Sequence, residues 1–141
     1  MVGLGRYGRG IARRLATRGR RVLGVDFDPE VLRARREHGI EAIYGDASDA
    51  DFIAQLPLGQ AAWVVSAIPP SAGGLTHEDH RVALIDALHA RNFGGRIAAV
   101  AHGPVEAAAL RARGVGLVLM PFEDAAARAA EMIEAARPAD P

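Results

Sequence analysis

The sequence predicts an α/β fold with a Rossmann-like, doubly wound parallel sheet. Short apolar segments alternate with segments of helical periodicity along the 141 residues. Such alternation produces parallel strands joined by right-handed helical crossovers. The chain also opens on Gly3-Leu4-Gly5-Arg6-Tyr7-Gly8, the glycine spacing found where the first strand of such a sheet turns into the first helix. The expected strand order is 3-2-1-4-5-6.

Each glycine of this opening has a physical role. Gly3 permits a tight turn, Gly5 lets backbone approach a pyrophosphate, and Gly8 lets the first helix lie close to the sheet. The free N–H groups and the positive end of the helix dipole then form an anion site. A tight connection without a ligand is the alternative, because glycine is frequent here, at 16 of 141 residues.

The first strand itself is almost absent from the sequence. Only Met1 and Val2 precede the glycine turn, whereas strands usually contain about 5 residues. We therefore expect a first strand that is either truncated, as in a piece of a longer chain, or very short.

Apolar periodicity and capping residues locate the helices. N-cap signals are present at Asp28, at Ser48 or Asp49, and at Gly103, and glycine follows three of the helices. In chain order, the predicted helices cover 6–18, 29–38, 49–56, 76–91, 104–113 and 123–137.

Apolar segments between these helices predict the other strands. The continuous run 61–68 is typical of a parallel strand that is buried on both faces, and the Pro- and Gly-rich loop 69–74 cannot be helical. In chain order, the predicted strands cover 22–26, 41–44, 61–68, 96–101 and 116–120. Residues 1–137 thus form a single domain, and 138–141 are expected to be a frayed tail.

Composition excludes several classes of function. The net charge is zero and the isoelectric point is about 7.0, which argues against binding to nucleic acid or to an anionic membrane. The chain has no cysteine and no lysine, so thiolate catalysis, a Schiff base and a Walker-loop lysine are excluded. No apolar run approaches the ~18 residues that span a bilayer.

Acidic residues follow the second and third predicted strands. Asp26 is placed to accept hydrogen bonds from an adenosine ribose, and its charge would repel a 2′-phosphate, which favours NAD(H) or a plain adenine nucleotide over NADP(H). An arginine at 20, 21 or 33 that paired with the phosphate would reverse this preference. Asp46 is placed either to meet an adenine amino group or to cap the next helix.

Other polar residues surround the same predicted crevice. Ser66 and Ala67 end strand 4 beneath the second half of any dinucleotide. Arg6 and Arg9, in the first turn of the first helix, either reach phosphates or a partner subunit or are exposed. His102, which ends strand 5, is the only candidate general acid or base near an expected nicotinamide.

Two histidines that are close together in the sequence are candidate metal ligands. His77 and His80 would lie at i and i+3 if one helical turn held both, which is close enough to share a metal ion. No third convergent ligand accompanies them in the sequence, so no metal site is predicted.

The sequence resembles the nucleotide-binding domain of potassium-transport regulators, known as RCK, KTN or TrkA-N domains. The resemblance covers roughly 3–122 and rests on four segments: Gly-Leu-Gly-Arg-Tyr-Gly-Arg-Gly at 3–10, Val-Asp-Phe-Asp-Pro at 25–29, Tyr-Gly-Asp-Ala at 44–47, and Gly-Val-Gly-Leu-Val-Leu-Met-Pro at 114–121. The segment 44–47 discriminates this family from generic dehydrogenases.

The resemblance implies a regulatory module that binds NAD(H) or an adenine nucleotide (AMP, ADP or ATP), forms a homodimer and controls a potassium or cation/proton transporter. That transporter would be attached upstream or be a separate subunit, so the module would lie in the cytoplasm at the inner face of the membrane. The family's usual arginine near the end of strand 5 is His102 here, and no second ligand domain follows, which is more typical of an antiporter than of a channel. The nucleotide contacts implied by position are Gly3, Gly5, Arg6, Tyr7, Gly8, Asp26, Phe27, Asp46, Ala47, Ser66 and Ala67.

Two other functions remain open. A small NAD-dependent oxidoreductase has the same glycine fingerprint, but no convincing catalytic set is present, because a hydride-transfer enzyme needs a proton relay that only His102 offers. A domain of this fold that has lost its ligand is the other. The last helix, with Ala126, Ala129, Ile133 and Ala136 along one side, is predicted to dock a second copy or a transporter, or to pack on its own sheet.

Overall fold

Parallel strands and helices alternate in the part of the chain that the structure, a computed structural model, describes: residues 1–30, 40–70, 75 and 79–136. The strands are β1 (Leu23–Asp26), β2 (Glu41–Tyr44), β3 (Trp63–Ser66), β4 (Arg96–Val100) and β5 (Leu117–Leu119). The helices are α1 (Arg6–Thr17), α2 (Ala50–Gln55), α3 (His80–Ala90), α4 (Pro104–Ala112) and α5 (Pro121–Ala135), with a 3₁₀ turn at Leu58–Gln60. The predicted fold class is confirmed. The predicted helix 29–38 lies mostly outside the described residues, as do 71–74 of the loop after β3.

The sheet consists of two groups of parallel strands that meet at Val2. β1 pairs with β2 in one group, and β3, β4 and β5 pair in that order in the other. Val2 forms parallel bridges to Val25 on one side and to Ser66 on the other. One bridging residue does not make a strand, so the six-strand order stays a prediction, and the expectation of a very short first strand is met by Val2 alone.

Helices cover both faces of this sheet, but unequally. The larger core joins β1, β3 and β4 to α2, α3 and α4, with Ile53, Ile85 and Leu110 among its fully buried residues. On the opposite face a smaller core contains Leu4, Ala12 of α1 and Ile40. Successive side chains along each strand point to opposite faces of the sheet. A single strand can therefore contribute side chains to both cores.

The sheet face on which α1 packs is left partly uncovered over β3 and β5. Register pairs Val65 with Ala98 and Ala98 with Leu117, which puts these side chains in one row on the face opposite Val64 and the larger core. Trp63 is 40% exposed and Leu117 45%. The prediction that strand 61–68 is buried on both faces is therefore wrong for this face.

α5 does not cover that gap. None of its residues is buried, and its large apolar side chains Phe122, Met132 and Ile133 are 59% to 72% exposed. The prediction that the last helix packs on its own sheet is wrong, and its apolar side faces solvent in the single chain.

α3 begins later than the sequence predicts. Asp79 has extended backbone and acts as N-cap, so the first helical residue is His80 rather than Thr76. Residues 76–78 lie outside the described residues, so the arrangement of His77 and His80 on one helical turn is not tested.

Acetylation of the Met1 amine is expected to stabilise the protein below pH 8. The amine donates to the Leu23 carbonyl oxygen at 2.9 Å, and burial lowers its pKa from 8.0 to about 6. Between these values the unfolded chain binds a proton that the folded chain does not, so the free energy of unfolding of the unmodified protein rises with pH across this window.

Urea unfolding of both forms from pH 5.5 to 8.5 measures this effect. The acetylated form should lack that part of the rise and should be more stable by about 2 kcal/mol at pH 6. Identical pH dependence of the two forms would contradict the assignment.

Candidate functional site

The glycine turn lies where the carboxyl ends of β1 and β3 meet the start of α1. The Gly3 N–H donates to the Val25 carbonyl oxygen at 2.9 Å, and the Ala67 N–H donates to the Val2 carbonyl oxygen at 2.8 Å. The turn is thereby attached to both neighbouring strands. This is the edge at which open α/β sheets bind ligands.

Two glycines of the turn are required by its geometry. Gly3 has a φ of +77°, and a Cβ on it would lie 3.0 Å from the Ile68 nitrogen. A Cβ on Gly8 would overlap the Gly3 carbonyl oxygen and approach the Ala67 Cβ to 3.0 Å. The predictions of a tight turn at Gly3 and close helix packing at Gly8 are confirmed.

The start of α1 is open on its outer side. Gly5 is the N-cap, makes no side-chain cap hydrogen bond, and has no acidic residue in the helical turn that follows it. A Cβ on Gly5 would meet no atom within 4 Å. The space in front of this helix terminus, where the dipole favours an anion, is therefore unfilled by the protein. Arg6 and Tyr7 are exposed next to it, and burial, with a smaller effect of Asp124, raises the pKa of Tyr7.

Asp26 is fixed to the glycine turn by its own carboxylate. Its Oδ2 accepts the Leu4 N–H at 2.6 Å, and its Oδ1 accepts the Asp28 N–H at 3.0 Å. Each carboxylate oxygen has a second lone pair. Asp26 can therefore accept a ligand hydroxyl without giving up either backbone bond, and Phe27 beside it is 65% exposed.

Asp46 closes a turn after β2. Its Oδ1 accepts the Ser48 hydroxyl at 2.7 Å and the Ser48 N–H at 2.8 Å, and these bonds lower its pKa. His80 Nδ1 lies 3.8 Å from the same oxygen. The cap of α2 is Asp49, so the interpretation of Asp46 as the helix cap is wrong. Ala47 is buried beneath this turn.

Ser66 lies on the face of the larger core. It is 1% exposed, and its hydroxyl has no hydrogen-bond partner among the described residues. Val64, two residues earlier on the same strand face, belongs to the larger core. The side chain of Ser66 therefore lies on the opposite face from α1, whereas Ala67 lies against the glycine turn.

His102 stands at the far side of the crevice. Its backbone N–H donates to Glu106 Oε2 at 2.8 Å, and its ring packs edge-on against Phe122 at 5.6 Å between centroids. The first turn of α5 is thus held beside the end of β4.

A buried arginine, Arg81, lies close to His102 and is not predicted by the sequence. Arg81 is 0% exposed and bonds to Asp79, Glu106 and the Val100 carbonyl oxygen. A signal was present, because Arg81 stands four and seven residues before the buried Ile85 and Leu88 and so falls on the apolar stripe of α3.

Neither a metal site nor a membrane-spanning helix is found in the described part of the chain. Among the described residues, no group of three His, Asp or Glu side chains is placed to hold a metal ion. Likewise, none of the described helices is both long enough and apolar enough to cross a bilayer.

Comparison with known proteins identifies relatives of this chain. A family model described as the TrkA-N domain matches residues 1–121. The glutathione-regulated potassium-efflux system protein KefC of Escherichia fergusonii is 31% identical over 68 residues, which are 48% of this chain and 11% of KefC. The chain thus matches only a small part of that relative.

Two solved structures share the fold. The NAD(P)-binding domain of an exopolyphosphatase-related protein from Archaeoglobus fulgidus is 22% identical, with a TM-score of 0.76 and 94% of each chain covered. The Shewanella denitrificans Kef CTD in its AMP-bound form is 20% identical, with a TM-score of 0.73, 96% of this chain and 79% of that chain covered.

Alanine at Gly8 and at Gly5 should affect stability very differently. Gly8→Ala forces a Cβ into the Gly3 carbonyl and is expected to destabilise the protein by about 3 kcal/mol. Gly5→Ala, the matched control, adds its Cβ to open space and should cost less than about 1 kcal/mol, the difference between glycine and alanine as caps. Urea unfolding of both variants measures this, and equal losses would contradict the geometry of the turn.

Proposed function

The chain belongs to the TrkA-N domain family, and on that premise we propose that it is a regulatory domain that binds NAD(H) or an adenine nucleotide and controls a potassium or cation/proton transporter. The observation that carries the proposal is the open amino end of α1, which adjoins a carboxylate, Asp26, already tied to the glycine turn. An anion site and a hydroxyl acceptor at adjacent strand ends are what a nucleotide requires.

The contacts with a nucleotide follow from this arrangement. The pyrophosphate or phosphate lies in front of Gly5, where the helix terminus supplies N–H donors and no side chain intrudes. The ribose hydroxyls bind Asp26, whose charge disfavours a 2′-phosphate. Asp46, held by Ser48 at the neighbouring strand end, accepts the adenine amino group. The NAD(P)-binding and AMP-bound descriptions of the two structural neighbours support this ligand class.

The partner is a membrane transporter. Support comes from KefC, which is named as a protein of a potassium-efflux system. The segment that matches this chain is a small part of KefC. We infer that the transporter domain is either covalently attached or a separate subunit, and that the domain works in the cytoplasm against the inner face of the membrane. No role in binding nucleic acid is proposed.

Regulation by such a domain is a matter of linkage. A nucleotide that binds one geometry of the crevice better than another shifts the transporter's equilibrium by that difference in affinity, and by no more. His102 and Phe122 join the crevice to α5, so the position of α5 is the natural output of ligand binding.

A second copy of the chain is the proposed occupant of the uncovered sheet face. The apolar side of α5, with Ala126, Ala129 and Ile133 at helical spacing, is exposed. The gap over β3 and β5 exposes the apolar side chains of Trp63 and Leu117. A helix in that gap lies beside α1, which has four arginines and no acidic residue, whereas α5 has four acidic residues and one arginine.

Nucleotides selective for the folded state are expected to raise its thermal stability. At 100 times its dissociation constant, a ligand adds about 2.7 kcal/mol. Thermal unfolding with NAD, NADH, NADPH, AMP, ADP and ATP measures this, and NADPH should give a smaller shift than NADH because Asp26 repels its 2′-phosphate.

Asp26→Ala should abolish the shift, whereas Asp86→Ala, which removes a partly exposed carboxylate from α3, should keep it. No shift with any nucleotide would overturn the proposal in favour of a domain that has lost its ligand. Turnover of NADH with small carbonyl compounds would instead favour an oxidoreductase.

Ile133→Glu is expected to dissociate the homodimer, because it places a charge on the apolar side of α5. Ala127→Glu is the matched control, since helical spacing puts Ala127 among the acidic residues on the opposite side. Light scattering should give twice the chain mass of 14.9 kDa for the parent and the control, and a dissociation constant weaker by at least about tenfold for Ile133→Glu. A monomeric parent protein would leave the transporter as the occupant of α5.

A further inference from the structure

The guanidinium of Arg81 joins three segments that are separated along the chain. Its Nε and Nη2 donate to the two oxygens of Asp79 at 3.0 and 2.6 Å. Its Nη2 also donates to Glu106 Oε1 at 2.6 Å, and its Nη1 donates to the Val100 carbonyl oxygen at 2.7 Å. The side chain is completely buried while it makes these contacts.

These partners all lie at the carboxyl edge of the β3–β4 half of the sheet. Asp79 ends the connection from β3 to α3, Val100 is the last residue of β4, and Glu106 stands in the first turn of α4. The second oxygen of Glu106 accepts the N–H of His102 at 2.8 Å. The turn 101–103 is therefore fixed at its start through Val100 and in its middle through Glu106.

A buried ion pair is weak evidence for stabilisation, because apolar residues of similar volume often replace such a pair without loss. Burial alone would lower the pKa of Arg81 and raise that of Glu106, but the hydrogen bonds outweigh burial, so the pKa of Arg81 is raised and that of Glu106 is lowered. Arg81 and Glu106 are therefore both ionised at neutral pH, and their directional bonds specify where the turn lies.

We propose that Arg81 is a positioning residue for the second half of a bound dinucleotide, acting through Glu106 on the turn 101–103. The inference rests on the nucleotide-binding function proposed above. A dinucleotide spans the crevice, with its adenosine half at Asp26 on β1 and its other half over the ends of β3 and β4. AMP occupies only the first half, so it does not depend on the turn that Arg81 holds.

Binding of NAD and AMP to Arg81→Met, measured by isothermal titration calorimetry, tests the proposal. NAD affinity should fall by about tenfold, because the turn is no longer preorganised, while AMP affinity should stay within about twofold of the parent value. Arg113→Met is the matched control, since among the described residues its side chain makes only a long, partly exposed pair with Asp86 at 3.7 Å, and it should change neither affinity. An equal loss for both ligands, or no loss for either, would overturn the positioning role.

A second variant covers the case in which Arg81→Met does not fold. Glu106→Gln keeps the shape of the side chain but replaces one acceptor oxygen with an amide donor, so either the Arg81 bond or the His102 bond is lost. NAD affinity should fall by about threefold, with AMP binding unchanged, and conservation of both affinities would again overturn the proposal.

Hydrogen exchange at the His102 amide separates this inference from the proposed function. The amide should lose protection in Arg81→Met and keep it in Arg113→Met. It should also lose protection in Glu106→Gln, because the remaining side-chain oxygen stays with the charged guanidinium of Arg81 and the amide NH₂ then faces the His102 N–H. If the parent protein binds neither NAD nor AMP, the nucleotide function fails. Hydrogen exchange then tests separately whether Arg81 positions the turn 101–103. Unchanged protection of the His102 amide in both variants would refute this role of Arg81.

Discussion

The two halves of the sheet meet at Val2 and are joined there by a few backbone hydrogen bonds. The Val2 N–H donates to the Val65 carbonyl oxygen at 2.8 Å and its own carbonyl oxygen accepts the Ala67 N–H. On the other side, the carbonyl oxygen of Met1 and the N–H of Gly3 both bond to Val25. The glycine turn begins at this seam, so the distance between Asp26 and the ends of β3 and β4 depends on these few bonds.

The parts of the site that the sequence could predict are those fixed by local backbone geometry. Gly3 needs its positive φ, and Gly8 leaves no room for a Cβ, so the residue type itself records the structure. Asp26 ends a short apolar strand, and such a strand can be recognised from its composition and from the turn residues that bound it. These features depend on near neighbours in the chain, and the structure places them where the spacing predicts.

Features that depend on distant neighbours could not be predicted in this way. The sequence predicts a helix from Thr76, and Asp79 is its N-cap in the structure. The position of Asp79 depends on its bonds to Arg81, which in turn needs Val100 and Glu106. The sequence of α5 has the same apolar side whether the helix packs on its own sheet or on another surface. Periodicity predicts that this side is buried, but it does not predict which surface buries it. Arg81 shows the limit most clearly, since a charge on an apolar stripe makes sense only when its partners are known.

The position of the only tryptophan has a practical consequence. Trp63 lies on the uncovered sheet face, 40% exposed, with the guanidinium of Arg96 5.6 Å from the centre of its ring. It stands at the amino end of β3, at the opposite edge from the glycine turn. Indole emission responds to the loss of water around the ring, so the protein carries an intrinsic fluorophore on the face where a helix can dock. Coverage of that face can thus be followed optically, without a label and separately from events at the ligand edge.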